Sequence, residues 1–485
     1  MLAHRLSEDP SRKILLLEAG PRDTNPWIHV PLGYGKLFSR RDVNWAYESE
    51  PEAALNGRRV FTPRGKVLGG SSSINGLVYI RGQREDFDGW GIPGWGFNAL
   101  APYFQRSLLK VSALPRHELC DAFIESAAAL GIPRNDDFNG PAQEGTGYYR
   151  ATTFRGRRSS TATAYLRPAE RRANLTVKTN ALVTKVVFDG TRAVGVQCGH
   201  EVLRGREILL CAGTFNSPQL LELSGVGKGS LLQEKGIPVV HDLPAVGEDL
   251  QDHFYARTFW ECRKPITLND DMKSLWRQAK IGLQYALKRD GPLTVAAGYA
   301  AAFVRTPGAK RPDAQIYFIN FSSARRGGFL HEHSGFTCAV SQCQVESRGS
   351  VHIRSARPEE PPSIRYNYLA TENDRRVMVE GLKIARRIVT TPPMKDYVVR
   401  EVLPGPKVQS DADWLAFCRE AGETVFHPTS TCRMGTVVDA ELRVKGVERL
   451  RVVDASVMPA VSSGNINAAV VAVAEKAADL IRASS

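Results

Sequence analysis

Lys13-Ile-Leu-Leu-Leu-Glu18-Ala-Gly20 is the stretch that decides the fold: four aliphatic residues in a row, closed by a carboxylate and a glycine. An unbroken apolar run of strand length suits a parallel strand buried on both faces. Just upstream, Leu2-Ala-His-Arg-Leu6 reads as the last turns of a helix and Ser7-Glu-Asp-Pro10 as its stop. Helix, turn and buried strand make the back half of a βαβ unit. In dinucleotide-binding units of this kind, an acidic residue ending the second strand accepts hydrogen bonds from a ribose. The GxGxxG turn that holds the pyrophosphate lies about 20 residues earlier. Counting back from Glu18 puts that turn before Met1, so the first strand and its glycines are missing from this chain. Strand-end carboxylates are common, and Glu18 alone does not establish a nucleotide site.

Further along, Arg64-Gly-Lys-Val-Leu-Gly69-Gly70-Ser71-Ser72-Ser73-Ile74-Asn75-Gly76 places two glycines and three serines between apolar runs. Small residues let backbone amides approach an anion or a flat ring closely, and the apolar flanks put this loop inside a domain. Val183 to Phe188, the turn Asp189-Gly190 and Ala193 to Gln197 predict a hairpin. Glu207-Ile-Leu-Leu-Cys-Ala-Gly213 repeats the strand-then-glycine pattern, and Ser217-Pro218 predicts a helix over Gln219 to Ser224 with proline in its first turn. Between about Phe254 and Pro404, short strands such as Gln315–Ile319 and Phe336–Val340 mix with helices such as Asp374–Ile388, which is a domain of a different kind. Arg449 to Asp454 is another strand ending in a carboxylate, and Asn467 to Arg482 has helical spacing with asparagine as its N-cap. Strands and helices alternate as an α/β fold requires.

Composition narrows the class. With 485 residues, 42% hydrophobic and 24% charged, the chain is an enzyme-sized globular protein of two domains or one large α/β body. Its net charge of +13 is scattered, and no basic run is interleaved with aromatics, so nucleic acid is not an expected partner. Eight cysteines stand singly, without CxxC or Cys/His ligand spacing, which fits reduced thiols and no metal. Glu475 and Lys476 interrupt the most apolar segment, and the N-terminus has no signal-peptide core. The expectation is a cytoplasmic protein, with room for peripheral contact with the anionic inner face of a membrane.

Taken together, the motifs resemble one family. Arg64 to Asp88 and Gly213 to Gly227 look like the two signatures of the glucose-methanol-choline flavoenzymes. His427-Pro-Thr-Ser-Thr-Cys-Arg-Met-Gly435, Val453 to Pro459 and Gly464-Asn-Ile-Asn467 resemble that family's C-terminal active-site motifs, in the same order along the chain. The resemblance implies an α/β architecture. A Rossmann-like FAD-binding domain over 1–75, 152–253 and 443–485 lacks its first strand and GxGxxG. A second, α+β substrate domain on an antiparallel sheet covers 76–151 and 254–442.

Residue by residue, the resemblance gives Glu18 to the adenosine ribose, and Val67, Gly70, Ser72, Asn75 and Gly76 to the flavin. Val183 goes to the adenine, and Asp454, Ala455, Asn467 and Ala468 to the ribitol and pyrimidine edge. His427 would accept the proton of an alcohol while the substrate carbon delivers hydride to flavin N5, and Asn465 would hydrogen-bond the alkoxide. Ile74 stands where covalently flavinylated members carry histidine, so the FAD is expected to be non-covalent. Tyr299 aligns where choline-oxidising members place a carboxylate, which turns the expectation toward a neutral primary alcohol, with a quinone or similar acceptor. Relatives carry a further stretch with a His-Gly turn between Ser107 and Leu109, and a smaller insertion after Gly435. Alternatives are an alcohol oxidase using O2, a hydroxynitrile lyase on the same fold, or an inactive remnant that does not hold FAD.

Overall fold

A computed structural model describes residues 1–324 and 328–484. Along the chain, the elements that position the site begin with helix α1 (Leu2–Leu6), strand β1 (Ile14–Leu17), helix α2 (Phe97–Arg106) and strand β2 (Gly145–Tyr148). Next come β3 (Leu175–Lys178), β4 (Val183–Asp189), β5 (Arg192–Cys198), β6 (Ile208–Leu210) and helix α3 (Gly213–Leu223). The second half contains β7 (Phe254–Cys262), α4 (Leu275–Lys288), β8 (Ala300–Val304), β9 (Ala314–Ile319), β10 (Gly335–Gln342) and α5 (Glu372–Val389). Strands β11 (Val398–Leu403), β12 (Glu423–Thr424) and β13 (Leu450–Val452) and helix α6 (Asn467–Ala483) complete the set.

One sheet is antiparallel throughout, in the order β11-β7-β10-β9-β8-β2, with β12 also paired to β7. Its central strand β10 is buried along its whole length, because α5 lies across it. Val377, Met378, Leu382, Ala385 and Ile388 recur at helical spacing and form the face of α5 that meets the sheet. Gly381 permits the close approach, since a β-carbon there would stand 2.6 Å from Val340 Cγ1.

On the other side, apart from a two-residue parallel pair of Val226–Gly227 with His241–Asp242, the parallel strands form two pairs, β1 with β3 and β6 with β13. The Ile14 and Glu18 amides donate to Asn174 and Lys178, so in a parallel ladder the alternate residues Leu15 and Leu17 turn theirs to the opposite edge. In the same way Ile208 donates to Arg449 and Val453 to Leu210, which turns Leu209 and Cys211 outward. Both outward edges line one large cavity. The β6–β13 pair, helices α1, α2 and α6, and the hairpin β4–β5 share a second core that includes Leu6, Leu100, Val186, Leu210, Val452, Ala472 and Ile481, while β1 and β3 pack around Leu175 with Ala3, Leu68 and Leu166. The expected Asp189-Gly190 turn is present, with Asp189 opposite Arg192 and Gly190 at φ 59°.

Two local readings need correction. Helix α3 begins at Gly213 and runs through Pro218, rather than starting at Ser217-Pro218. Proline lacks the N–H that would bond the Thr214 carbonyl, and the Thr431 hydroxyl donates to that carbonyl instead, at 2.6 Å. At α6 the N-cap is Ile466 and Asn467 is the first helical residue, with no side chain capping the end. Ile466 and Asn467 border the cavity, so this end of the helix opens on it without a capping side chain.

Candidate active site

The cavity occupies about 2370 Å³, well above the roughly 300–1,000 Å³ of an ordinary ligand pocket. It runs from the edges of β1 and β6, past the Gly69–Gly76 loop, to a polar cluster between β7, β9 and the start of α6. In that cluster His427, Asn465 and Tyr317 reach the cavity wall together.

Hydrogen bonds fix the protons there. His253 Nε2 lies 3.1 Å from the Cys343 carbonyl, which can only accept, so Nε2 carries the hydrogen. Burial pulls the His253 pKa down to about 4, so its ring is neutral and Nδ1 holds a lone pair. His427 Nδ1 therefore donates to His253 Nδ1, at 2.9 Å. A neutral His427 then has its lone pair on Nε2, 3.1 Å from Asn465 Nδ2. The Asn465 amide is oriented in turn, because Gln315 Nε2 donates to its Oδ1 at 3.3 Å while Tyr317 Oη donates to Gln315 Oε1 at 2.8 Å. The backbone of His427 is held by Asp252, whose Oδ1 accepts the His427 N–H at 2.7 Å. Burial pushes the Asp252 carboxyl up to about 6, although Tyr368, Thr424 and Arg64 favour its charged form.

The glycine-serine loop is braced from behind. Ser72 and Ser73 donate to the Gly69 and Leu68 carbonyls, and Arg158 Nη1 donates to the Ser72 carbonyl and to Asn75 Oδ1. Gly70, at φ 54°, has nothing within 4 Å of where its β-carbon would be, so its backbone lies open to the cavity. Asp454 is held by Gly213 N and Ser217 Oγ on one oxygen and by Ser456 on the other. Glu18, at the end of β1, accepts from Gly20 N at 2.8 Å, and burial pushes its carboxyl up to about 7.

Comparison with known proteins decides the family. Two family models described as GMC oxidoreductase match residues 28–255 and 345–474. An alcohol dehydrogenase [acceptor] of Pseudomonas putida is 40% identical over 516 residues, covering 99% of this chain and 93% of the relative. This chain is a GMC oxidoreductase. An oxygen-dependent choline dehydrogenase of Photobacterium profundum is 38% identical, covering 99% of this chain and 90% of its own length. Among solved structures, pyridoxine 4-oxidase from Mesorbium loti superposes with a TM-score of 0.90 at 30% identity, over 99% of this chain and 96% of that one. As a GMC oxidoreductase the chain is an FAD-dependent enzyme acting on CH–OH donors.

The residues present fit a flavin dinucleotide. Glu18, Gly70, Ser72, Asn75, Gly76, Val183, Asp454, Ala455, Asn467, Asn465 and His427 all line the one cavity. It also presents an open glycine backbone and the uncapped N-terminus of α6, which suits an anionic ligand. Val67 and Ala468 are buried in the adjoining cores and do not line it. Tyr299 is buried against His117 and Tyr148, while Ala297 and Gly298 form the nearby wall, so the reading of Tyr299 as a substrate-facing position fails. Tyr299 stands just before β8, and its ring turns into the core beside His117 and Tyr148 rather than to the cavity.

Sequence reasoning missed His253, Gln315 and Tyr317. Gln315 and Tyr317 lie two apart on β9, the spacing of residues sharing a strand face, which was the available signal. His253 lies 174 positions from its partner, and no spacing rule connects them. Among the described residues, no group of three or more His, Cys, Asp or Glu could hold a metal ion. No helix among them is long and apolar enough to cross a membrane.

Proposed function

We propose that this GMC oxidoreductase oxidises a neutral primary alcohol to an aldehyde, with His427 as the base and Asn465 as the donor to the alkoxide. The observation that carries the proposal is the directed chain of hydrogen bonds from Tyr317 through Gln315, Asn465 and His427 to His253. It leaves the one basic nitrogen of His427 beside the amide NH2 of Asn465, so a hydroxyl entering between them loses its proton to Nε2. The oxygen left behind accepts from Nδ2. FAD, when bound, supplies the hydride acceptor for the substrate carbon. Glu18 would hold the ribose, the Gly70–Gly76 loop the flavin, Val183 the adenine, and Asp454, Ala455 and Asn467 the ribitol and the ring edge. Ile74 offers no nucleophile, so the FAD would be non-covalent.

A neutral substrate is supported by the cavity wall beyond the histidine. There Tyr255, Tyr317, Ile319 and Phe321 offer no carboxylate to a quaternary ammonium group, and the neighbouring Arg257 is paired with Glu423 at 2.9 Å. The electrons are expected to pass to a quinone or similar carrier. The 30% identity to a pyridoxine 4-oxidase supports a second reading, in which O2 is the acceptor. Turnover of a primary alcohol with a quinone analogue and without peroxide supports the first. Peroxide formed in step with aldehyde selects the second. Choline oxidised in preference to neutral alcohols overturns the substrate class.

A further inference from the structure

Helix α4 carries large apolar side chains on the wrong side for a core. Ile281 and Tyr285 pack inward, and the Tyr285 hydroxyl donates to the Gly156 carbonyl at 3.0 Å. Outward, Trp276 is 79% exposed, Leu283 61% and Leu287 73%, while Leu275 beside them is 81% exposed. Trp276, Leu283 and Leu287 stand at i, i+7 and i+11 and share one stripe. Across the cavity rim Phe329 is 96% exposed. Contiguous apolar exposure of this kind marks an interaction surface.

Charge selects the partner. From Leu275 to Arg289 the helix and its C-cap carry Arg277, Lys280, Lys288 and Arg289 and no acidic residue. Lys273 is exposed just before the helix, and the whole chain carries +13. Apolar residues with tryptophan in the stripe and basic residues at its margin form the pattern of a helix lying in a lipid interface. Arg277 lies 3.9 Å from Asp271 and Lys273 3.5 Å from Asp270, while neither Lys280 nor Lys288 has an acidic neighbour on the helix itself, so a second copy of the same face would still set like charges against like.

We infer that α4 docks on an anionic bilayer, with its outer stripe among the lipid headgroups and acyl chains. The inner side of the same helix makes the functional consequence direct. Gln278, Ile281 and Gly282 of α4, with Phe329 and Leu330 opposite, line the cavity that leads to His427. Docking therefore sets the cavity mouth against the membrane, where sparingly soluble alcohols and lipid-phase acceptors concentrate. The docking itself does not depend on the alcohol reading.

Co-sedimentation of the purified flavoprotein with vesicles of three parts phosphatidylcholine to one part phosphatidylglycerol tests this. The protein is expected to pellet with these vesicles, less with phosphatidylcholine alone, and less again in high salt, which shortens the electrostatic range. The triple substitution Trp276→Ser, Leu283→Ser and Leu287→Ser is expected to weaken binding at least about tenfold, because each large apolar side chain fully withdrawn from water counts for more than that alone. Its melting temperature and flavin absorbance should match the parent. Lys280→Glu with Lys288→Glu should remove the preference for anionic vesicles. Three results would overturn the inference: a parent protein that stays in the supernatant with anionic vesicles; a triple variant that binds as tightly as the parent; or a parent dimer, seen by light scattering, that the triple variant converts to a monomer, assigning the face to a second copy.

Discussion

The antiparallel and parallel strands of this molecule differ in how completely they are paired. The antiparallel sheet runs without interruption from β11 to β2, and its central strand is wholly buried under α5. The parallel strands β1, β3, β6 and β13 are split into two pairs whose outward edges border the cavity. The proposed proton-transfer geometry grows from the continuous sheet, since Gln315 and Tyr317 stand on β9 and His253 immediately precedes β7. The proposed dinucleotide contacts come instead from edges, loops and a helix end that surround an open volume. One half is determined by its own packing, and the other is completed by its ligand.

The largest effect expected is on chemistry at the continuous side. His427→Ala should lower turnover by about two to four orders of magnitude, as for loss of a positioned general base. A change below about threefold would take His427 out of that role. On the split side, saturating FAD should stabilise the protein by about 3 kcal/mol at a hundred times its dissociation constant. Hydrogen exchange should then slow at residues 14–17 and 208–212 and change little in β9 and β10. Uniform slowing across both sets of strands would erase the contrast.

Next in size is His253, a positioning residue. His253→Phe removes the acceptor for His427 Nδ1–H and should lower turnover about ten- to a hundredfold, the range for an unsatisfied buried donor. The acid limb of the pH profile should move to lower pH, because losing that acceptor disfavours the charged imidazole. His253→Gln, which offers an amide oxygen, should recover part of the rate. An unshifted pH profile would make His253 structural only.

The smallest effect concerns Glu18. Its folded carboxyl sits at about 7 against an ordinary value near 4.3, so it gains a proton as pH falls through 7. The charged form accepts ribose hydroxyls better, and FAD affinity should fall a few-fold, about tenfold at most, between pH 8 and pH 6. The same shift means that ionisation opposes folding without ligand. Stability should therefore fall as pH rises from about 4.3 through 7, and Glu18→Gln should flatten both trends.

Local signals carried much of this into the sequence. The Asp189-Gly190 turn, the glycine-serine loop and the apolar run ending at Glu18 are short-range patterns with short-range causes. His427 and Asn465 became legible through a family resemblance, because neither residue type nor spacing joins them. Unread features depend on tertiary placement: the proline inside α3 is tolerated only because Thr431 arrives to bond the Thr214 carbonyl. Tyr299 was misplaced because the direction its ring takes just before β8 is set by the packing of His117 and Tyr148, which no local pattern announces. The exposed stripe of α4 looks in sequence like any amphipathic helix, and only burial shows that its more apolar side faces outward.

The most direct test of the account is the visible spectrum of the flavin-loaded protein before and after anaerobic addition of a neutral primary alcohol. The account predicts that the flavin absorbance bleaches, and that His427→Ala slows the bleaching by the factor given above. A protein that holds FAD yet stays oxidised with aliphatic, aromatic and polyether alcohols would contradict it.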